Sequence, residues 1–356
     1  MYQLFVSSMQ KLRLEVETVL GESADPMERI RLFIHAHLRA LLQEQIRHVT
    51  ILTELPELSR SHHQEVLTLR KDYADLTQSV IANGQEAGAI RTDIPARYLY
   101  LALLNILNWV VLWFRRNEAL AVDELADLYC RIFLHGALAE RRQRQAYLPD
   151  FETNDKKSAK TRRPDANEQG TLARLVEASA VLFSRRGYAA TSTREIAAAL
   201  GIQKASLYYH VGSKEELLFA ICKSSLEQIR SDVEEALAAV HDPSDRVSAL
   251  IGAHMESMLS EQEKHAAALS EMHLLSPERF GEVRLLRDAY EGQVRSVLQE
   301  GQEAGAVRAD IEIKYLCLAL LGLMNRACVW YRRGGTLSPG QLGQLFSSIF
   351  LSGAAR

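Results

Sequence analysis

Proline, glycine and cysteine are scarce in this chain. Its 356 residues include 8 prolines, 19 glycines and 4 cysteines. So few chain-breaking residues favour long helices over many short strands. The cysteines have neither CxxC pairs nor the spacing of zinc ligands, which predicts buried, reduced thiols of a cytosolic protein. They are Cys130, Cys222, Cys317 and Cys328.

The sequence also lacks a targeting segment and a long apolar run. No basic segment followed by an apolar one marks a signal peptide at the N-terminus. The most apolar stretch, 98–113, carries Asn105 and Asn108 and is short for a membrane span, so we expect a buried core helix. A phosphate-binding loop, a GxSxG elbow and an HExxH motif are all missing, so we expect neither an enzyme nor a cofactor.

The net charge of −3 hides a local excess of basic residues. From Lys156 to Lys214 there are 11 basic and 4 acidic residues, or 11 − 4 = +7, which leaves −3 − 7 = −10 for the remainder. A basic segment in an otherwise acidic protein predicts one element that binds a polyanion.

The chain contains one domain twice. GQEAGAIRTDI at 84–94 recurs as GQEAGAVRADI at 301–311, an offset of 301 − 84 = 217. The offset holds without a gap from 1–139 to 218–356, and 54 of these 139 aligned positions are identical. Between the copies, polar residues 140–169 are predicted to form a linker and 170–217 a separate domain.

Each copy is predicted to be all-helical. Asp25-Pro26 and Asp242-Pro243 predict helix starts, because Asp caps a helix and Pro suits its first position. The last helix of each copy has an apolar stripe with spacings of three and four residues. The stripe comprises Leu125, Leu128, Tyr129, Ile132 and Phe133 in one copy, and Leu342, Leu345, Phe346, Ile349 and Phe350 in the other.

Residues 171–218 have a helical periodicity of their own. A first helix ending at Gly187 is predicted to bury Leu172, Leu175, Val176, Leu182 and Phe183. On the same face, the hydroxyl of Ser179 is expected to bond the carbonyl four residues earlier.

Two shorter helices are predicted to follow. Thr191 or Ser192 caps the first, and Gly201 permits a tight turn into the second, which spans 203–209. Two short helices joined by a glycine turn and supported by a longer one form a helix-turn-helix.

The segment GYAATSTREIAAALGIQKASLYYHVGSKEELL, at 187–218, closely resembles the DNA-binding head of TetR-family regulators. The resemblance implies an all-α protein: a three-helix head whose third helix enters the major groove of a palindromic operator, and two helical-bundle domains that sense a ligand and dimerise. Four residues would meet bases and nearby backbone: Lys204, Ala205, Ser206 and Tyr208. Four others would meet phosphates: Thr193, Arg194, His210 and Lys214.

Some positions in this segment keep two interpretations. Tyr209 fits either a DNA contact or a core residue, and Lys214 is alternatively a solvated lysine that opens the next helix. Leu207 and Val211 are expected in the core. The basic stretch 156–163 is either a phosphate-tracking arm or a solvated part of the linker.

The two bundle domains resemble a TetR subgroup in which the penultimate helix ends in a tryptophan, an aromatic residue and an arginine. Here these are Trp113-Phe114-Arg115 and Trp330-Tyr331-Arg332. Several members of the subgroup respond to acyl-coenzyme A ligands. The resemblance implies that Arg326 and Trp330, which are four residues apart on one helix face, bind such a ligand. Trp109 replaces this arginine in the first copy, which predicts a divergent, uncharged or absent ligand there. A core role for Trp113 and Trp330 stays open.

A set of polar residues is shared by both copies. It comprises His37, Glu44 and His48, matched by His254, Glu261 and His265. Separations of seven and eleven predict that each set lies on one helix face, where it lines the ligand pocket or makes buried hydrogen bonds. A metal site is the weaker alternative, and we expect none. Asn108 and Asn325 lie among apolar residues and need a partner, either in the pocket or on another helix.

In TetR-type regulators the last two helices of the sensor domain form the dimer. This chain has two such helix pairs, at about 95–139 and 312–356, which predicts either an intrachain pseudo-dimer or a homodimer. Met1 aligns with Leu218, inside a predicted helix, so we favour a gene start upstream with a second head over genuine loss of that head. The expected function is a cytoplasmic repressor released by a small molecule. The alternative is a helical interaction protein with a vestigial head.

Overall fold

The computed structural model describes residues 2–45, 47, 60–115, 120–136 and 170–353. These residues are helical with no strand, as the sequence predicts. The predicted linker 140–169, His48 and Arg116 lie outside the described residues. The first copy contains helices α1 (Tyr2–Leu20), α2 (Pro26–Gln43), α3 (Arg60–Glu86), α4 (Ala96–Trp113) and α5 (Val122–His135).

The head and the second copy follow in the chain. The head has α6 (Thr171–Arg186), α7 (Thr193–Ala199) and α8 (Lys204–His210). Next come α9 (Lys214–Ala238), α10 (Pro243–Ser260), α11 (Gln262–Glu271), α12 (Pro277–Glu303), α13 (Ile313–Asn325), α14 (Ala327–Trp330) and α15 (Pro339–Ser352). Helix α9 runs without a break through 217–218, where the sequence predicts the boundary between head and sensor.

The internal repeat is visible in the helix boundaries. Helices α10, α12 and α15 begin and end 217 residues after α2, α3 and α5, as in 243 − 26 = 217 and 352 − 135 = 217. The predicted capping residues act in both copies. The Asp25 carboxylate accepts from the backbone N–H of Glu28 at 2.7 Å, and that of Asp242 accepts from Asp245 at 3.0 Å.

One helix departs from the repeat. The sequence predicts one long helix here in each copy, at about 95–115 and 312–332. Helix α4 is continuous, as predicted, whereas its counterpart is divided into α13 and α14 at Arg326. The Arg326 backbone N–H reaches the Gly322 carbonyl only at 3.4 Å. The helix is weakest there because that long bond is the link across the break.

The two copies pack against each other within the chain. Helices α4 and α13 cross at the centre, flanked by α5 and α15, and residues of both copies belong to one apolar core. Two equivalent hydrogen bonds flank this core. The guanidinium of Arg91 donates to the Gly353 carbonyl at 3.3 Å, and that of Arg308 donates to the Gly136 carbonyl at 3.3 Å. The contact is therefore nearly two-fold symmetric, as in an isologous dimer.

Gly136 and Gly353 allow the backbones to approach at the edge of this contact. Their φ angles are +71° and +75°, and they directly follow the last residues of α5 and α15. A Cβ atom at Gly136 would lie 2.3 Å from the Leu351 carbonyl oxygen, and one at Gly353 would lie 2.4 Å from that of Leu134. Only glycine satisfies both the backbone angle and the spacing.

The central helices are strongly apolar. Ala96–Trp113 and Ile313–Trp330 each have a mean hydropathy of 1.3, so by length and composition they resemble membrane spans. In the fold they form the middle of the bundle, with 56% and 67% of their residues buried. This is the position expected for the core helix of a globular bundle.

Candidate DNA-binding head and sensor cavity

Helices α7 and α8 are held in place by local capping and a small core. The Ser192 hydroxyl accepts from the Glu195 backbone N–H at 3.2 Å, and the Glu195 carboxylate accepts from the Ser192 N–H at 2.8 Å, which is a capping box. Ser192, rather than Thr191, is therefore the cap. Gly201 turns the chain into α8 with φ +67°, and Leu207 anchors α8 in the core.

Two details of the predicted head core are wrong. Leu172 is 50% exposed, because the first turn of α6 extends beyond the small core formed by the three helices. Ser179 is buried as predicted, but its hydroxyl has no hydrogen-bond partner among the described residues. The expected bond to the preceding turn is thus not made. Leu175, Phe183 and Val211 are buried as expected.

The residues predicted to meet DNA form one exposed surface on α8 and the start of α7. Lys204, Ala205, Tyr208 and His210 are exposed, whereas Ser206 is half-buried. Tyr209 is 87% exposed, which excludes its core interpretation within this chain.

Thr193 connects the two helices of this surface. It lies half-buried at the start of α7, where its hydroxyl is 3.2 Å from that of Tyr208 on α8. The adjacent Arg194 is exposed. Exposed cations can donate to DNA phosphates and base edges, and hydroxyl groups can donate or accept there.

Lys214 is less available to DNA than the sequence suggests. Its ammonium donates to the carbonyls of Tyr188 and Thr191 at 2.8 and 2.9 Å and lies 4.0 Å from the centre of the Tyr188 ring. Partial burial lowers its pKa, an effect that the nearby Glu271 opposes. An ammonium has three donors, so one remains for a phosphate. The main role of Lys214 is therefore structural, because its hydrogen bonds connect the start of α9 to the loop before α7.

A cavity of about 110 Å³ lies in the second sensor copy. Its wall is mostly apolar and comes mainly from α9 to α13, with His254, His265, Tyr290 and Asn325 among the polar side chains. The first copy closes it, because Trp109 and Trp113 of α4 reach across the contact between the copies. Asn108, half-buried on α4, is not part of this wall.

The two histidines of the cavity are buried and paired through one ring nitrogen each. Nδ1 of His254 lies 2.6 Å from the Tyr290 hydroxyl, and Nδ1 of His265 lies 2.5 Å from the Ser225 hydroxyl. Burial lowers the pKa of His254 to about 4, an effect that Asn325 partly offsets, and lowers that of His265 well below its usual value. Both imidazoles are therefore neutral at physiological pH.

The polar sets shared by the copies do not lie on single helix faces. Helix α10 ends at Ser260 and α11 begins at Gln262, so Glu261 occupies the junction and pairs with Lys264, outside the cavity. Glu44, at the end of α2, likewise pairs with Lys11 at 3.1 Å. His254 and His265 still meet, because α10 and α11 fold around the same space. Within the described part of the chain, no cluster of three or more metal-ligating side chains occurs.

Arg326 and Trp330 do not line the cavity of their own copy. Burial, and to a smaller extent the positive charge of Arg70 on α3 of the first copy, lowers the Arg326 pKa to about 10. The Trp330 indole N–H donates to the Asn105 side chain of the first copy at 3.1 Å. The sequence does not show that both residues face the first copy, because this depends on how α4, α13 and α14 pack across the contact between the copies.

Several functional contacts were missed at the sequence level. Asn105, besides accepting from Trp330, donates to the Leu323 carbonyl at 2.9 Å and so joins the copies. Tyr290 holds His254, as Tyr73 holds His37 at 2.6 Å. Tyr73 and Tyr290 occupy equivalent positions of the two copies, so the alignment of the repeat could have identified them.

The cavity and the head share part of their packing. Ala268 and Met272, at the end of α11, line the cavity and also belong to the apolar core that includes Leu175 and Phe183 of α6. A further link is the Glu215 carboxylate at the start of α9, which accepts from the Ser276 backbone N–H at 2.9 Å. An occupant of the cavity would therefore contact residues that support the head.

Two family models match the chain. One, described as tetracyclin repressor-like, C-terminal domain, matches residues 23–137 and again 240–354. The other, described as bacterial regulatory proteins, tetR family, matches 175–221. The chain belongs to the TetR family. The two matches to the first model are 240 − 23 = 217 residues apart, so the predicted family, fold class and internal repeat are confirmed.

Relatives of known role are transcriptional regulators. The HTH-type transcriptional repressor KstR2 of Rhodococcus jostii is 31% identical over 194 residues, or 53% of this chain and 94% of the relative. KstR2 of Mycobacterium tuberculosis is 28% identical over 186 residues, or 51% and 92%. The solved structure of the TetR regulator PfmR from Thermus thermophilus is 31% identical, covers 53% of this chain and 99% of its own, and gives a TM-score of 0.49.

Proposed function

We propose that the protein is a cytoplasmic, sequence-specific DNA-binding repressor that an effector in its sensor releases from DNA. The observation that carries the proposal is the exposed surface of α8, whose residues are not needed for the core of the head. Tyr209 is the clearest case, since a side chain that is 87% exposed buries little apolar surface in the head. The family membership and the repressors among its relatives support the same function.

Within this surface we assign base contacts to α8 and phosphate contacts to its flanks. Along α8, Lys204 and Tyr208 are exposed and Ser206 is half-buried, while Arg194 on α7 and His210 at the end of α8 flank them. Tyr208→Phe and Lys204→Ala should each weaken operator binding by about 1–3 kcal/mol if the contact is to a base edge. His210→Ala should weaken binding to all DNA sequences equally and reduce the dependence of the DNA affinity on salt concentration. Fluorescence anisotropy at several salt concentrations measures both effects.

The matched control lies far from the head. Lys71→Ala removes one positive charge from the exposed surface of α3, where Lys71 pairs with Asp75. Because Coulomb effects between exposed charges fade beyond the Debye length of about 8 Å, this variant should bind DNA like the wild type. If it weakens binding as much as Lys204→Ala does, the loss reflects net charge alone, and the assignment of α8 is wrong.

We further propose that the contact between the two sensor copies replaces the interchain dimer of TetR-type regulators. Its support is the pair of equivalent hydrogen bonds from Arg91 and Arg308 and the shared apolar core. Such a pseudo-dimer presents one described head, so two half-sites of an operator require two chains. Light scattering should give a monomer without DNA and two chains on a palindromic operator. A free homodimer would contradict the intrachain pairing.

Helix α11 would transmit the effect of ligand binding to the head. Because Ala268 and Met272 contact both the cavity and the core of the head, a ligand that displaces them changes the packing of α11 on α6. A ligand shifts this equilibrium only by its difference in affinity between the two packings. Met272→Ala should therefore weaken the coupling between ligand and DNA while each binds alone.

For one effector site we propose an acyl-coenzyme A, bound where Arg70 and Arg326 meet. Neither guanidinium has a hydrogen bond or an ion pair with another side chain of the described residues, although both lie partly buried and near each other. Two like charges without a counter-ion are unfavourable unless an anion joins them, and guanidinium groups suit phosphate. Calorimetry with a panel of thioesters of different chain lengths tests this site.

A further inference from the structure

The two sensor copies are built from one sequence pattern, yet their sites have become different. Three pairs of equivalent positions carry their charges, and two of these pairs differ between the copies. The first site has Arg70 and Arg326, and the alanine Ala74 stands where the second copy has Glu291. The second site, which is the cavity described above, has Arg287 and Glu291 in its wall, and Trp109 takes the place of Arg326. The wall of the second site therefore carries one charge of each sign, whereas the first has two positive charges.

Trp113 shows the same divergence in its hydrogen bonding. Its counterpart Trp330 donates its indole N–H to Asn105, at 3.1 Å. The residue equivalent to Asn105 in the other copy is Gly322, since 105 + 217 = 322. Gly322 has no side chain to accept, and the Trp113 indole N–H is buried without a partner in the described structure. Replacement of an asparagine by glycine thus leaves one donor available in the cavity.

One further polar atom in the same cavity is buried without a partner among the described residues. It is Nε2 of His265, whose Nδ1 is already held by the Ser225 hydroxyl. His254 is held by Tyr290 at Nδ1 and also has a side-chain hydrogen bond with Asn325, which raises its pKa. A neutral imidazole offers Nε2 as a donor or an acceptor according to its tautomer, whereas an indole N–H only donates. A buried polar atom without a partner is costly, so two of them beside one apolar space indicate a missing ligand with polar groups.

We propose that the cavity of the second sensor copy binds an uncharged, mainly apolar molecule that carries a carbonyl or hydroxyl oxygen, so that one chain holds two sites for different ligand classes. The Trp113 indole donates to that oxygen, and His265 binds the same or a second polar group. The wall has no net charge to attract an anion, because it contains one cation, Arg287, and one carboxylate, Glu291, and both histidines are neutral. The Glu291 carboxylate also pairs with Arg295, which lies outside the wall. The proposal rests on the sensor role given above and specifies its ligand.

An apolar cavity of about 150 Å³ holds benzene, so a cavity of about 110 Å³ accepts a ligand group no larger than a single six-membered ring. Three probes of matched shape separate the possibilities: cyclohexane, cyclohexanone and cyclohexanecarboxylate. The readout is tryptophan fluorescence of the full-length Trp330→Phe protein. Its two remaining tryptophans, Trp109 and Trp113, both line the cavity, and the chain has no others. Calorimetry on the wild-type chain gives the affinities.

Cyclohexanone should bind with a saturable signal and more tightly than either cyclohexane or the carboxylate. Trp113→Phe should weaken cyclohexanone binding about three- to tenfold, the value of one hydrogen bond, and leave cyclohexane binding unchanged. Trp330→Phe, the control, should leave both unchanged because Asn105 already binds that indole. The proposal would be overturned if cyclohexanecarboxylate bound more tightly than cyclohexanone, if cyclohexane and cyclohexanone bound equally, or if none of the three bound. Since no DNA is present, such a result leaves the assignment of α8 intact.

Discussion

Acidification should destabilise the protein through His254. This imidazole is fully buried, and burial lowers its pKa from 6.5 to about 4. Between those values the unfolded chain binds a proton that the folded chain does not, so the free energy of unfolding rises with pH across this window. Tyr290, Asn325 and His265 are the groups that face it, and His265 acts in the same direction.

The magnitude follows from the shift. A difference of 6.5 − 4 = 2.5 pKa units corresponds to about 3 kcal/mol once the pH is below both values, at 1.36 kcal/mol per unit. Between pH 7.5 and pH 5.0 the same linkage predicts a loss of about 2 kcal/mol from His254 alone. Such a loss is a large fraction of the stability of a typical domain.

Urea unfolding of the wild type and of His254→Asn at both pH values tests this prediction. Asparagine keeps a polar group near the Tyr290 hydroxyl but does not titrate, so the variant should lose about 2 kcal/mol less than the wild type on acidification. His241→Asn, which removes an exposed histidine, is the control and should behave like the wild type. Equal losses in all three proteins would show that His254 is not the responsible group.

Three other perturbations have defined outcomes. Gly136→Ala should lower stability by about 1–3 kcal/mol more than Gly88→Ala in urea unfolding, because both have positive φ but only Gly136 meets a backbone oxygen, that of Leu351; equal losses would refute the close approach. Lys214→Met should cost about 2 kcal/mol through its two lost carbonyl bonds, seen as a lower urea midpoint with the slope unchanged; an unchanged midpoint would contradict this role. Arg326→Met should abolish calorimetric binding of acyl-coenzyme A while the circular dichroism spectrum stays helical; retained binding would remove Arg326 from that site.

Features that depend on local sequence were predictable here. The capping aspartates and the glycine turn of the head are properties of a few neighbouring residues, and the repeat is a property of the aligned sequence, so each is visible without the fold. The sequence alone does not separate Thr191 from Ser192 as the capping residue of α7, because both carry a hydroxyl. The structure separates them, since Thr191 is buried and its hydroxyl bonds the Gly187 carbonyl at 2.9 Å.

Features that depend on the pairing of the copies were not predictable. The spacing of Arg326 and Trp330 predicts one face of one helix, but it shows neither the break at Arg326 nor that each residue faces the other copy. In the same way, the replacement of this arginine by Trp109 was assigned to the first copy's ligand, whereas Trp109 closes the second copy's cavity. Which cavity a residue lines is settled by helix crossing, a tertiary property that one-dimensional periodicity does not contain.

The central claim is that α8 reads DNA, and direct binding tests it best. Genomic fragments captured by the wild-type protein supply a specific DNA, which is then labelled for fluorescence anisotropy with the wild type and with the double variant Lys204→Ala, Tyr208→Phe. We predict salt-dependent binding by the wild type and a loss of at least about tenfold in the double variant, from one or more base contacts at about 1–3 kcal/mol each. Full affinity of a correctly folded double variant for the same fragment would contradict the account.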